Sequence, residues 1–151
     1  MASGKVVEVL LAEDNAGDIK LIKEAFKEFK VGHNLHVVND GIEALAFLRK
    51  EGKYADAPKI DLMILDLNLP KKSGMDVLHE VKNDELLKRV PVVILTNSSL
   101  DSDVLKSYNL HANCYIIKPI KLDDFFKAIR SIDDFWLSLV KLPSEGNKQQ
   151  P

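Results

Sequence analysis

The sequence has little of what several classes of protein require. Its one cysteine, Cys114, can form neither an internal disulfide nor a zinc site made of cysteines. The 21 Lys and Arg residues are balanced by 23 Asp and Glu, a formal net charge of −2, whereas a nucleic-acid partner would need clustered positive charge. No apolar run approaches the ~18 residues of a membrane span, and the first residues do not resemble a signal peptide. We therefore expect a cytoplasmic protein that binds neither a membrane nor nucleic acid.

Motifs of several enzyme classes are also missing. The four histidines lack the H-E-x-x-H spacing of zinc peptidases, and no serine lies in the G-x-S-x-G turn of α/β hydrolases. What the chain does have is 151 residues, of which 46% are hydrophobic and 29% are charged. That size and composition are typical of one globular domain.

Five short apolar runs alternate with segments of helical periodicity. The runs are apolar at almost every position rather than at alternate ones, which is typical of parallel strands covered on both faces. They occupy residues 6–11, 35–38, 62–65, 92–95 and 115–117. Five strand–helix units in this order predict an α/β fold, a doubly wound five-stranded parallel sheet between two helical layers.

The helical segments carry apolar residues at spacings of three and four. We place a polar connection at residues 50–60, one domain at residues 5–142, and a disordered polar tail at residues 143–151. The last helix begins near Leu122 and is longer than is needed to cover a five-stranded sheet. The apolar stripes are those of residues 19–29, 42–48 and 75–81, a helix around Val104 and Leu105, and the last helix with Phe125, Phe126, Ile129, Ile132, Trp136 and Leu139.

Polar residues follow four of the predicted strands. In an open parallel sheet the carboxyl ends of the strands share one edge, and ligands bind there. We therefore expect these side chains to lie together: Glu13 and Asp14 after the first strand, Asp66 and Asn68 after the third, Thr96 and Asn97 after the fourth, and Lys118 and Pro119 after the fifth.

Three of these side chains are carboxylates, and carboxylates held close together repel one another. A Mg²⁺ ion relieves that repulsion, takes oxygen ligands, and leaves room for water and a phosphoryl oxygen. Asp66 can then attack phosphorus and form an aspartyl phosphate, while Lys118 and Thr96 hold phosphoryl oxygens. Each residue alone has a simpler explanation, Asp14 as a helix N-cap for example. The whole set in this chain order favours a phospho-acceptor site.

Four segments carry a family resemblance: VLLAEDN at 9–15, LDLNLP at 65–70, VILT at 93–96 and YIIKP at 115–119. Together they resemble the receiver domain of two-component response regulators, over roughly residues 6–140. The resemblance implies a flavodoxin-like fold. It also implies that Asp66 accepts a phosphoryl group from a phosphohistidine of a sensor histidine kinase.

The resemblance assigns further roles by position. It implies Asp14 as a direct Mg²⁺ ligand, Glu13 as a ligand through water, and Asn68 as a ligand through its backbone carbonyl. It implies Thr96 and Tyr115 as a switch pair. It also implies Lys118 as the phosphoryl-binding lysine and a cis bond between Lys118 and Pro119.

The likeness extends to a subgroup of single-domain regulators that partner phytochrome-like histidine kinases in bacteria. It rests on the segment EGKYADAP at 51–58 and the ending FWLSLVKLP at 135–143. Kinase partners in that subgroup vary, so a phytochrome-like kinase is one candidate. Two positions depart from the family pattern: Glu13 stands where many members have Asp, and Asn97 where a smaller residue is common. We expect Asn97 to alter the access of water to the phosphoryl group.

These implications predict a stand-alone phosphorelay receiver rather than an enzyme acting on other substrates, with a signal that leaves by protein contact. Phosphorylation of Asp66 draws Thr96 inward and leaves room for Tyr115 to rotate beneath it. The aromatic end of the last helix, residues 135–142, predicts a homodimer or kinase-docking surface, with local packing as the alternative.

Three other functions remain open from the sequence. An aspartyl-phosphate phosphatase needs an acid where Asn68 stands, to protonate the leaving group. A flavodoxin-like flavin carrier needs a phosphate-binding first loop, and the acids Glu13, Asp14 and Asp18 repel phosphate. A metal-free pseudo-receiver would serve only as a scaffold, which the complete acidic set argues against.

Overall fold

The computed structural model describes residues 6–29, 32–97, 112 and 114–131. Within them, five strands follow one another in the order that the apolar runs predict, and a helix follows each of the first three strands and the fifth. The strands are β1 (Val7–Ala12), β2 (His33–Val38), β3 (Leu62–Asp66), β4 (Val92–Thr96) and β5 (Cys114–Ile117), and the helices are α1 (Ala16–Phe26), α2 (Gly41–Arg49), α3 (Gly74–Lys82) and α4 (residues 122–131).

The sheet is entirely parallel, with strand order β2-β1-β3-β4-β5. Strand β1 lies between β2 and β3, so the chain winds outward from it in both directions. In such a sheet the loops after β1 and β3 diverge and leave a crevice at their carboxyl ends. The predicted doubly wound, flavodoxin-like architecture is therefore confirmed.

Both faces of the sheet are covered, which explains the continuous apolar runs. Successive side chains of a strand point to opposite faces. One face packs Leu10, Met63 and Ile94 against residues of α2 and α3, and the other packs Leu11 and Ile64 against apolar residues of α1 and α4. The inner strands β3 and β4, buried at every position, therefore have no solvent face on which a polar side chain is favoured, whereas the edge strand β2 is only partly covered.

The strand ends extend beyond the predicted runs. Strands β3 and β4 include Asp66 and Thr96, respectively, which the sequence pattern predicts just after the strands. The backbone pairing continues past the last apolar side chain, since Asp66 lies opposite Leu95 and Thr96 opposite Ile117. Both polar side chains are consequently held on the rigid sheet rather than on a loop.

One local expectation is corrected, and the structure adds detail to two others. Ile42, predicted on the buried stripe of α2, is 54% exposed, because it lies in the first turn and the helix turns Ala44, Leu45 and Leu48 inward instead. The connection at residues 50–60 is not merely polar. It contains a 3₁₀ turn whose Tyr54 ring packs against the ring of Phe47.

The second added detail concerns the start of α1. Its N-cap is Asn15, whose side chain accepts a hydrogen bond from the backbone N–H of Asp18 at 2.9 Å. Asp14 therefore does not have the capping role that would explain it in isolation. The helix begins immediately after the acidic loop, so its first turn lies beside the carboxyl edge of the sheet.

Several predictions lie outside the described residues. They are the helix around Val104 and Leu105, the aromatic extension at 135–142, and the polar tail at 143–151. Among the residues that the structure does describe, no helix is long and apolar enough to cross a membrane.

Candidate functional site

Asp66 occupies the centre of the carboxyl edge, at the end of β3, and is 2% exposed. Its Oδ1 accepts a hydrogen bond from the backbone N–H of Asn68 at 2.9 Å. The loop that follows is tightly closed, since the N–H of Gly74 donates to the carbonyl of Leu67 at 3.0 Å. A Cβ atom on Gly74 would lie 2.1 Å from the Asp66 carbonyl oxygen. Glycine at the start of α3 therefore permits this close approach.

Glu13 follows β1 and is fully buried. Its Oε2 accepts hydrogen bonds from the backbone N–H groups of Asp14 and Asn15, each at 3.0 Å. Its own backbone is fixed on both sides, because its N–H donates to the carbonyl of Val38 and its carbonyl accepts from the side-chain amide of Asn39. The carboxylate is thus held over the loop rather than extended into solvent.

Lys118 brings the ends of the strands together. Its ammonium Nζ lies 2.8 Å from Glu13 Oε1 and 2.9 Å from Asp66 Oδ2. Its backbone N–H donates to the carbonyl of Thr96 at 2.7 Å, which ties the residue to the end of β4. The bond to Pro119 is cis, as the resemblance implies. The side chain is only 9% exposed, so the ion pairs lie largely out of water.

Asp18 also belongs to this cluster, although the sequence pattern does not predict it there. Its Oδ2 lies 2.8 Å from Lys118 Nζ, as close as either strand-end carboxylate. It belongs to the first turn of α1 and not to a strand end. The signal that could have found it is its position three residues after the cap Asn15, in the first turn of a helix that begins directly after the acidic loop.

The electrostatics of the site follow from burial and crowding. Burial, and then the neighbouring Asp66, raise the pKa of Glu13 from 4.5 to about 7, although Lys118 and the backbone of Asn15 act in the other direction. Burial alone would lower the pKa of Lys118, but Asp18, Glu13 and Asp66 outweigh it and raise that pKa above its ordinary value. The lysine therefore stays charged, while the buried glutamate resists ionisation.

Three of the four carboxylates form a set that fits a hard divalent cation. One oxygen from each of Glu13, Asp14 and Asp66 lies within 4.8 Å of the other two. Glu13 and Asp66 are buried and Asp14 is exposed, so the set opens to solvent on one side. Oxygen ligands and access for water suit Mg²⁺ or Mn²⁺. The neighbouring Asp66 adds to burial in raising the pKa of Glu13.

The remaining predicted residues surround this set. Thr96 is buried at the end of β4, and Tyr115 is half-buried on β5 opposite Ile94. Since alternate residues share a face, the side chains of Thr96 and Tyr115 project from the same face of the sheet on neighbouring strands. Asn97 and Pro119 are exposed at the same edge, as is Asn68.

Comparison with known proteins identifies the family. The sequence model of the response regulator receiver domain matches residues 9–130. Response regulator Rcp1 of Synechocystis sp. is 46% identical over 136 residues, which cover 90% of this chain and 92% of that protein.

Two solved structures are similar to that of this chain over most of its length. The phosphorylated cyanobacterial phytochrome response regulator RcpA is 48% identical, with a TM-score of 0.79 over 90% of this chain and 97% of that one. The Mn²⁺-bound form of Rcp1 is 46% identical, with a TM-score of 0.78 over 89% of this chain and 96% of that one. The resemblance found in the four motifs is thereby confirmed, and the chain belongs to the response regulator receiver domain family.

Proposed function

We propose that this chain is a phospho-acceptor response regulator, in which Asp66 takes a phosphoryl group from a histidine kinase. The observation that carries the proposal is the environment of the Asp66 carboxylate. One oxygen meets the Lys118 ammonium at 2.9 Å and the other accepts the Asn68 N–H at 2.9 Å. A carboxylate fixed on a strand end beside an ammonium is oriented to attack an electrophile that the ammonium also contacts.

The proposed transfer is a single displacement at phosphorus. A carboxylate oxygen of Asp66 forms the new P–O bond as the P–N bond of the phosphohistidine breaks, and that electron pair returns to the imidazole nitrogen. No base is needed, because an ionised carboxylate already has a free lone pair. Lys118 binds one phosphoryl oxygen as a point charge, and the Thr96 hydroxyl donates to another.

A divalent cation belongs to this proposal. Glu13, Asp14 and Asp66 would hold Mg²⁺, with Asn68 offering its backbone carbonyl. When bound, the ion neutralises charge that accumulates on the phosphoryl oxygens. The residues of the chain position the acceptor and hold the excess negative charge that favours such an ion.

In this proposal, phosphorylation changes the conformation of side chains on the neighbouring strands β4 and β5. A phosphoryl group adds charge and strong acceptor oxygens at Asp66, and Thr96 moves towards it. Tyr115, on the same face of the sheet, rotates into the space that Thr96 leaves. The outcome is an altered surface beside β5, read by a protein partner rather than by nucleic acid.

The kinase partner is proposed from the relatives. RcpA is described as a phytochrome response regulator, and we propose that this chain serves a phytochrome-like histidine kinase in the cytoplasm. The receiver would occupy residues 5–142, with residues 135–142 forming a homodimer or kinase contact and residues 143–151 a polar tail. Sedimentation of a variant ending at Asp134 tests the homodimer, because an unchanged mass would remove it.

Phosphorylation by acetyl phosphate with Mg²⁺ tests the acceptor. The wild type should gain the mass of one phosphoryl group, and Asp66→Asn should gain none. Asp56→Asn is the matched control, since Asp56 is an exposed aspartate outside the site. A label that persists on Asp66→Asn would contradict the assignment. Repeated turnover of a phosphomonoester would favour the phosphatase, and failure to bind Mg²⁺ would favour the scaffold.

A further inference from the structure

Among the residues that the structure describes, Lys118 has three carboxylate partners, and they differ in what the proposed chemistry requires of them. The ion pair between Asp66 and Lys118 must change when Asp66 becomes phosphorylated, because the phosphorylated side chain is no longer a free carboxylate. Glu13 belongs to the three-carboxylate set that fits a cation. Asp18 lies outside that set, yet its Oδ2 is 2.8 Å from Lys118 Nζ. It is the one partner of the three whose bond to the lysine need not change during transfer.

The backbone of Asp18 is fixed by the helix cap rather than by Lys118. Its N–H donates to the side chain of the N-cap residue Asn15 at 2.9 Å, so the first turn of α1 is formed and closed. Its side chain is about one-fifth exposed, at 22%. A carboxylate on a capped helix turn is a rigid anchor, whereas the lysine stem has four rotatable carbons.

We propose that Asp18 is a positioning residue for Lys118. Its carboxylate holds the ammonium at the place where it meets the phosphoryl oxygen, before and after Asp66 reacts. Without this anchor, the lysine stem samples other rotamers and the approach of the donor is less well oriented. The inference rests on the proposed function and assigns to that site a residue from the helix α1.

The test compares the rates at which acetyl phosphate phosphorylates Asp66 in several variants. Asp18→Asn keeps the shape and removes the charge, and we expect the rate constant to fall about tenfold. Asp18→Glu should recover part of the rate, because it restores the carboxylate. Mg²⁺ affinity, measured by titration, should stay within about twofold of the wild type, since Asp18 is outside the cation set.

Glu24→Gln is the matched control on the same helix. Glu24 forms an exposed pair with Lys27 at 3.0 Å and has no bond to Lys118. It should leave the rate unchanged. Thermal unfolding of each variant shows whether a lower rate merely follows a loss of folded protein.

A double-mutant cycle separates action through Lys118 from a general effect on α1. In a Lys118→Met background, measured at raised donor concentration, Asp18→Asn should change the rate less than about twofold. An equal fall in both backgrounds overturns the inference, and so does an Asp18→Asn rate equal to that of the wild type. A wild type that takes no phosphoryl group at all overturns the proposed function and this inference with it.

Discussion

Replacing Glu13 with glutamine should stabilise the metal-free protein. Glu13 is fully buried, and its pKa is raised from 4.5 to about 7, chiefly by burial and then by Asp66. Glutamine keeps the shape and an acceptor oxygen for the N–H groups of Asp14 and Asn15, but it cannot ionise. The substitution therefore removes an unfavourable charge and preserves the hydrogen bonds of the loop, although it also removes the contact between Oε1 and the Lys118 ammonium.

The sign and size of the effect follow from the difference between the two pKa values. Below the unfolded value of 4.5, both states are protonated and the charge costs nothing. As the pH rises from there to about 7, the unfolded chain ionises first, so the wild type loses stability. At ~1.4 kcal/mol for each unit of pKa difference, the full loss is on the order of 3 kcal/mol. Water reaches the site beside the exposed Asp14, so we expect a measured gain nearer ~2 kcal/mol.

Urea unfolding in the presence of a chelator measures this gain at two pH values. Near pH ~4.5 the wild type and Glu13→Gln should have similar midpoints, and near pH ~8 the variant should be the more stable. Added Mg²⁺ should narrow the difference, because a ligand that binds only the folded state stabilises the wild type. A variant no more stable than the wild type near pH ~8 would refute the reasoning from burial and charge.

Three further outcomes follow from single positions. Gly74→Ala should destabilise the protein by about 2 kcal/mol, because the new Cβ would lie 2.1 Å from the Asp66 carbonyl oxygen. Gly32→Ala is the control, since the nearest atom to its Cβ would be 3.8 Å away. Equal urea midpoints for the two variants would contradict this prediction. Burial raises the pKa of the Cys114 thiol from 9.0 to about 11. Near pH ~8, iodoacetamide should therefore react with this thiol about a hundredfold more slowly in the folded protein than in the unfolded protein. Comparable reaction rates would contradict this prediction. Asn97→Ala should speed phosphoryl loss by opening the exposed edge to water, and equal half-lives contradict this.

The fold could be predicted because parallel strands leave an unambiguous pattern. Each buried strand needs apolar side chains on both faces, so five such runs separated by helical segments predict the sheet. The same topology gathers the residues that follow the runs, and Glu13, Asp66 and Lys118 do lie within hydrogen-bonding distance of one another or of a shared partner. Chain order and the geometry of parallel sheets were sufficient for this part.

The parts that could not be predicted depend on how a helix is rotated and on where it starts. Ile42 fits an apolar stripe in the sequence, but the rotation of α2 turns it to solvent. Asp18 looks like an ordinary acid in a first helical turn. Only the choice of Asn15 over Asp14 as the N-cap sets the turn that brings Asp18 to Lys118. Neither rotation nor cap choice follows from periodicity alone.

The charge of the site connects its stability to its proposed chemistry. Four carboxylates, those of Glu13, Asp14, Asp18 and Asp66, lie at this edge, and the ammonium of Lys118 pairs with three of them, so three negative charges are in excess of that one ammonium when all are ionised. Burial is the main cause of the raised pKa of Glu13, and the neighbouring carboxylate of Asp66 adds to it. The same excess makes three carboxylate oxygens within 4.8 Å attractive to a divalent cation. Under the proposed function, a neutral substitution that relieves the repulsion would also remove a metal ligand, so the stability lost at this edge of the sheet would be a condition for binding the ion.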